Sequence, residues 1–88
     1  MTSIEKLERR FGAKIAPKSL KFSDAKRLLE YYGCQFQNHN GGSHYIVTHP
    51  NVRQTIVIPK HHTALKQYNV IDVVRMLEAI KHTNGGLK

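Results

Sequence analysis

Between Cys34 and Pro59 the apolar residues of this chain recur with a period of two, and on both sides of that stretch they recur at helical spacing. This switch constrains the fold more than any other feature. A repeat of two sends alternate side chains to opposite faces of a pleated sheet, whereas i, i+3, i+4 spacing draws a stripe along a helix. The runs CQFQN, HYIVTH and QTIVIP are rich in aromatic and β-branched residues, which suit half-buried strands. Asn40-Gly41 between the first two runs is a type I′ hairpin signal. With that turn, His39 faces Gly42, Asn38 faces Ser43 and Gln37 faces His44. Pro50-Asn51 with Val52 closes a second hairpin, and Pro59 ends the third strand.

The flanking segments read as helices. Ile4, Leu7 and Phe11 form a stripe over residues 2–11, with Thr2 and Glu5 at capping-box spacing. Residues 12–21 read as a linker, because Pro17 forbids helix continuity and Lys14, Lys18 and Lys21 keep the segment solvated. Ser23 is placed to cap a second helix, with Asp24 in its first turn and Gly33 at its end. Ala25, Leu28, Leu29 and Tyr32 make the buried face of that helix. A last helix starts from Asn69 as its cap, with Asp72 three residues on, and buries Val70, Val73, Val74, Leu77 and Ile80.

The expected fold is therefore α+β: a three-stranded antiparallel sheet with helices on one face. Its α-β-β-β-α core, Ser23 to Lys81, has the layout of a double-stranded-RNA-binding-like fold, and an extra N-terminal helix precedes it. The expected organisation is residues 1–21 as a helix and basic linker, 22–82 as the domain, and 83–88 as a frayed tail.

Charge narrows the partners. Fourteen Lys and Arg against six Asp and Glu leave a formal net charge of +8. Such an excess favours polyanions, since each neutralised phosphate releases condensed counterions. The lone cysteine, Cys34, has no internal disulfide partner and reads as a small core residue. No apolar run is long enough to span a membrane, and MTSIEKLERR has no secretion-signal core. These features point to a cytoplasmic protein with no membrane role.

The candidate chemistry centres on histidine, of which there are six. Imidazole titrates near neutrality and suits proton transfer at cytosolic pH. RNA brings its own nucleophile, the 2′-hydroxyl. One imidazole can take that proton or protonate the leaving 5′-oxygen while lysines and backbone N–H groups hold the phosphate. In Gly41-Gly42-Ser43-His44 the glycines let a phosphate approach the backbone, directly before His44. The plain reading of the same residues is a hairpin turn followed by an exposed histidine at a strand edge. A zinc site is disfavoured, because His44 and His49 point to opposite faces, His61 and His62 are adjacent, and Cys34 lacks a partner at finger spacing. No metal and no cofactor are expected.

Three pieces of sequence carry a family resemblance: RLLEYYG at the end of a helix, GSHYIV, and TIVIPKH before a capped final helix. In this order, from Phe22 to Lys81, the chain resembles the HicA (YcfA-like) mRNA-interferase toxins of prokaryotic toxin–antitoxin systems. The resemblance implies metal-independent endoribonuclease activity on mRNA, with the histidine of Gly-Ser-His, here His44, as the catalytic residue. It also implies a HicB-like antitoxin that covers the toxin. His61 matches the histidine of the Pro-x-His motif in a supporting role, and His62 has no counterpart. Gly42, Ser43 and Lys60 are the accompanying phosphate-binding candidates. Members often carry a basic residue, commonly Arg, shortly before Gly-Ser-His; here His39 lies nearest. A glycine common before the last helix is replaced by Tyr68.

Two other readings stand beside the nuclease. One is a non-catalytic basic module of double-stranded-RNA-binding type. The other is a protein-interaction domain, since the strands carry apolar residues on both faces, Tyr45 and Val47 on one and Ile46 on the other, with Val57 and Ile56/Ile58 similarly divided. Packing on the helices covers one face and leaves the other open. That face would take the antitoxin or a second copy of the chain.

Overall fold

Helix, helix, three strands, helix is the element order in the computed structural model, which describes residues 4–13, 19–38, 41–60 and 64–85, with side chains as far as Thr83. The helices are α1 (Ile4–Phe11), α2 (Phe22–Tyr31) and α3 (Gln67–Gly85). The strands are β1 (Gln35–Gln37), β2 (His44–His49) and β3 (Val52–Pro59), joined in one antiparallel sheet of order β1-β2-β3. This is the α+β architecture expected from the sequence, and it is compatible with the double-stranded-RNA-binding layout.

The pleat decides what is buried. Val47, His49, Ile56 and Ile58 are buried on the face turned to the helices, while Val57 is exposed on the other. On the inner face Phe22 of α2 sits between two strand aromatics, with ring centroids 5.7 Å from Phe36 and 5.1 Å from Tyr45. Leu28, Leu29, Val73, Met76 and Ile80 complete the core from α2 and α3. Leu7 and Phe11 of α1 join the same cluster, and burial of such side chains contributes about 1.5–3 kcal/mol each.

Four details differ from the sequence expectation. The β1–β2 pairing is two residues out, with Gln37 opposite Ile46 rather than His44. β1 ends at Gln37 and β2 begins at His44, so the two strands are not joined in the register of the two-residue turn. The Asn38 amide donates to the Gly42 carbonyl, and Phe36 comes opposite Val47, where it meets Phe22. His39 and Asn40, half of the expected turn, lie outside the described residues. Second, Ser23 is not the cap of α2. The helix begins at Phe22, and the Asp24 carboxylate reaches back to accept the Lys21 N–H at 2.9 Å. That start brings Phe22 into the stripe and under the sheet.

Third, the segment expected as a solvated linker holds Leu20 in the core, where its carbonyl accepts the Leu65 N–H at 2.7 Å. Lys14, Pro17 and Lys18 of that segment, and Thr2 before α1, lie outside the described residues. Fourth, α3 runs on to Gly85, and the Thr83 hydroxyl donates to the Ala79 carbonyl at 3.0 Å, so helix extends into the stretch expected to fray.

The end of α2 is as the sequence suggests. Gly33 has φ +95°, and the bonds Gly33 N–H to Glu30 C=O and Cys34 N–H to Leu29 C=O, both 3.0 Å, form a Schellman motif. A Cβ at Gly33 would stand 3.3 Å from His49 Nε2. At Gly41, with φ +69°, a Cβ would meet nothing within 4 Å.

Beside this turn, Glu8 clasps three helices together. It accepts the Tyr32 hydroxyl at 2.5 Å through one oxygen and binds Lys81 through the other. The Lys81 ammonium also lies 5.9 Å from the centre of the Tyr32 ring. Burial opposes ionisation of Glu8, but the hydrogen bonds from Lys81 and Tyr32 and the Lys81 charge outweigh it and lower its pKa. Burial, and then the bond to Glu8, push the Tyr32 phenol up to about 12.

Two outcomes follow for thermal unfolding. Gly33→Ala forces a left-handed residue against His49 and should cost about 1–2 kcal/mol, roughly 4–8 °C in Tm per kcal/mol. Gly41→Ala, with open space around it, should lose less. Because Glu8 binds its proton less readily in the folded chain, the clasp's contribution is full above the ordinary carboxyl value of 4.5 and falls away as pH drops through the folded value. Glu8→Gln should therefore lower Tm at neutral pH and remove part of the wild-type loss of stability below pH 4.5, read from Tm against pH.

Candidate functional site

His44 opens β2 opposite Pro59, and the ladder continues one step further, where the Lys60 N–H donates to the Ser43 carbonyl at 2.6 Å. Ser43 and Lys60 are thus neighbours at the end of the strand pair. His44 is exposed there. Lys60 leans toward the other pleat face, its ammonium 6.0 Å from the centre of the Tyr45 ring. Gly41, Gly42 and Ser43 are exposed in the bend that leads into the strand.

The start of α3 closes the other side. His44 and Pro59 line a cavity of about 110 Å³ together with Leu65, Lys66, Tyr68 and Asn69. Asn69 was expected to cap α3 but sits in its first turn. The helix begins two residues earlier, at Gln67, and the Asn69 side-chain carbonyl accepts the Lys66 N–H at 3.3 Å. The Lys66 carbonyl in turn accepts the N–H groups of Asn69 and Val70 at 2.9 and 3.2 Å. This reciprocal arrangement explains why Asn69 is buried, at 2% exposure. The first turn of α3 carries no acidic residue, so the partial positive charge of its N-terminus adds to that of Lys66.

The end of the sheet thus brings together four of the residues singled out in the sequence: Gly42, Ser43, His44 and Lys60. His39 and His61 lie outside the described residues. Lys66 and Tyr68 were not singled out as site residues, although both flank the expected start of the last helix. That position, and the replacement of the family's glycine by Tyr68, were the available signals, and they become informative only once α3 is seen to meet the strand end. Among the described residues no three His, Cys, Asp or Glu side chains gather as a metal-ligand set. No helix among them is long and apolar enough to cross a membrane.

His49 has a different task. At 7% exposure, its Nδ1 accepts the Asn51 N–H at 3.0 Å, and its Nε2 lies 2.9 Å from the Tyr32 carbonyl. A backbone N–H needs a lone pair at Nδ1 and a carbonyl needs a proton at Nε2, so these bonds set the ring's orientation and tautomer. This imidazole ties the second hairpin to the end of α2.

Residues 22–70, which comprise α2, the whole sheet and the first turn of α3, match a family model described as HicA toxin of bacterial toxin–antitoxin. The chain belongs to the HicA toxin family. No curated protein and no solved structure matches it. The matched span contains every described residue named at the cavity. Membership also supplies a partner in kind, since a toxin of such a system is paired with an antitoxin. In this HicA chain α1 and most of α3 lie outside the matched span and pack onto it.

Cys34 is buried beside the α2 turn, and burial pushes its thiol up to about 11. Very little thiolate then exists at neutral pH. A thiol-reactive disulfide reagent at pH 7.5 should label the folded chain slowly and the denatured chain fast; equal rates would show that Cys34 is accessible.

Proposed function

We propose that this HicA-family toxin is a metal-independent endoribonuclease that cleaves mRNA, with His44 as the acid or base of the reaction. The proton leaves the ribose 2′-hydroxyl and the 2′-oxygen attacks the adjacent phosphorus. The bond from phosphorus to the 5′-oxygen breaks as that oxygen gains a proton, leaving a 2′,3′-cyclic phosphate and a 5′-hydroxyl. His44 handles one of these protons, and His61 or water handles the other. Backbone N–H groups at Gly42 and Ser43 hold the phosphate oxygens, Lys60 supplies positive field, and His39 stands in for the basic residue common before Gly-Ser-His.

One observation carries this reading: His44 is exposed at the rim of a small cavity lined by Lys66 and an acid-free helix start. An imidazole in that setting can meet a ribose-phosphate link and exchange protons with solvent. Cleavable RNA is single-stranded or ribosome-bound, because a 2′-hydroxyl must swing in line with the leaving oxygen, which an A-form duplex resists. The setting proposed for this reaction is the cytoplasm, where message is available. The open sheet face with Ile46 and Val57 is the proposed seat of the HicB-like antitoxin, and a partner there would lie beside His44.

Incubation of purified protein with a defined RNA in excess EDTA tests the reading. Wild type should cleave, and His44→Ala should fall by about 10²–10⁴-fold while its Tm stays close to wild type, since the ring is exposed. Cleavage retained by His44→Ala would overturn the assignment. Salt-dependent binding with no shortened product would instead favour the non-catalytic RNA-binding module.

A further inference from the structure

We infer that Tyr68 is a stacking platform for one unpaired nucleobase next to the phosphate handled at His44, an assignment that rests on the ribonuclease reading. Tyr68 is 61% exposed in the first turn of α3, although the next two residues, Asn69 and Val70, are buried. It takes part in none of the ring contacts among the described residues. The equally exposed Tyr31 differs, because its ring packs edge-on against Tyr32 at 5.2 Å. Among the described residues the fold thus gives the Tyr31 ring an aromatic partner and the Tyr68 ring none.

Its surroundings favour a nucleotide. Tyr68 lines the same cavity as His44, Pro59 and Lys66. A phosphate at His44 would lie near Lys66 and the N-terminus of α3, with no acidic side chain in the first helical turn to repel it. The backbone beneath the ring is held by the reciprocal bonds between Lys66 and Asn69, so the platform is preorganised. A cavity of about 110 Å³ is too small to take up a nucleotide, so the base would stack on the exposed ring at its mouth rather than enter it. Stacking needs an exposed base face, which a duplex hides, and it tolerates any base. Tyr68 therefore selects single strands and carries little sequence preference.

The chain contains no tryptophan, so Tyr68→Trp installs a single fluorescent reporter that keeps the stacking surface. Uncleavable 2′-O-methyl RNA is the probe, as a single strand, as a duplex, and as a series of single strands carrying one abasic position each. Single strands should quench the Tyr68→Trp fluorescence and the duplex should not. Tyr68→Ala should weaken single-strand binding roughly 5- to 150-fold, the range expected for loss of one base stack, while Tyr68→Phe keeps wild-type affinity. At one abasic position the penalty of Tyr68→Ala should vanish.

Quenching without RNA cleavage by the unmutated chain would support the platform and sink the nuclease reading. Cleavage with unchanged affinity in Tyr68→Ala would overturn the platform and leave the nuclease standing. A Tyr68→Ala chain that keeps its RNA affinity but loses its antitoxin would assign the ring to the protein interface, and also overturns the inference.

Discussion

One strand carries two histidines five residues apart, and a pleat of period two sends them to opposite fates. The inner face of the sheet is sealed by α2 and α3, so His49 is buried and hydrogen-bonded at both ring nitrogens, while His44 at the other end of β2 is exposed. The arrangement depends on register. A slip of one residue along β2 would exchange the two faces, bury the candidate catalytic ring and expose Val47. Register is held by the inner-face aromatics Phe22, Phe36 and Tyr45, and by the ladder that runs past His44 to the Ser43–Lys60 bond.

The site needs a second wall, and α3 provides it from its first turn. Asn69 fixes where that helix starts, and the stripe Val70, Val73, Met76, Leu77 and Ile80 fixes the face it turns to the core. Together they bring Lys66 and Tyr68 to the cavity that His44 opens. α1 stands apart from this wall. Its Leu7 and Phe11 extend the core, and Glu8 joins it to Tyr32 and Lys81. It therefore stabilises the helical layer without contributing to the cavity.

Much of this was legible in the residues. The period switch gave the strands and their faces, Gly33 gave the end of α2, and the odd separation of His44 and His49 gave their opposite orientation. The details that were not legible depend on contacts across the fold. Asp24 and Asn69 both cap from the third helical position, so the residue that looks like a cap lies inside the helix rather than before it. The turn signal at Asn40-Gly41 competed with the packing of Phe36 on Phe22, and the pairing followed the aromatic contact. Leu20 was concealed by its lysine-rich surroundings, because charge density says little about one apolar side chain that finds a core. Lys66 and Tyr68 became site residues only through a long-range meeting of strand end and helix start.

Membership of the HicA toxin family sets the biological frame, a toxin matched to an antitoxin, and the site supplies the proposed chemistry within it. The central claim is that the substrate's own 2′-oxygen is the nucleophile and that His44 manages a proton in its attack. The chemistry of the cut ends tests this most directly. RNA digested in chelator should carry 2′,3′-cyclic phosphate and 5′-hydroxyl termini, and a single 2′-deoxynucleotide at the cleavage position should block the cut. Ends bearing 3′-hydroxyl and 5′-phosphate, or cleavage that persists at the deoxy position, would contradict the account.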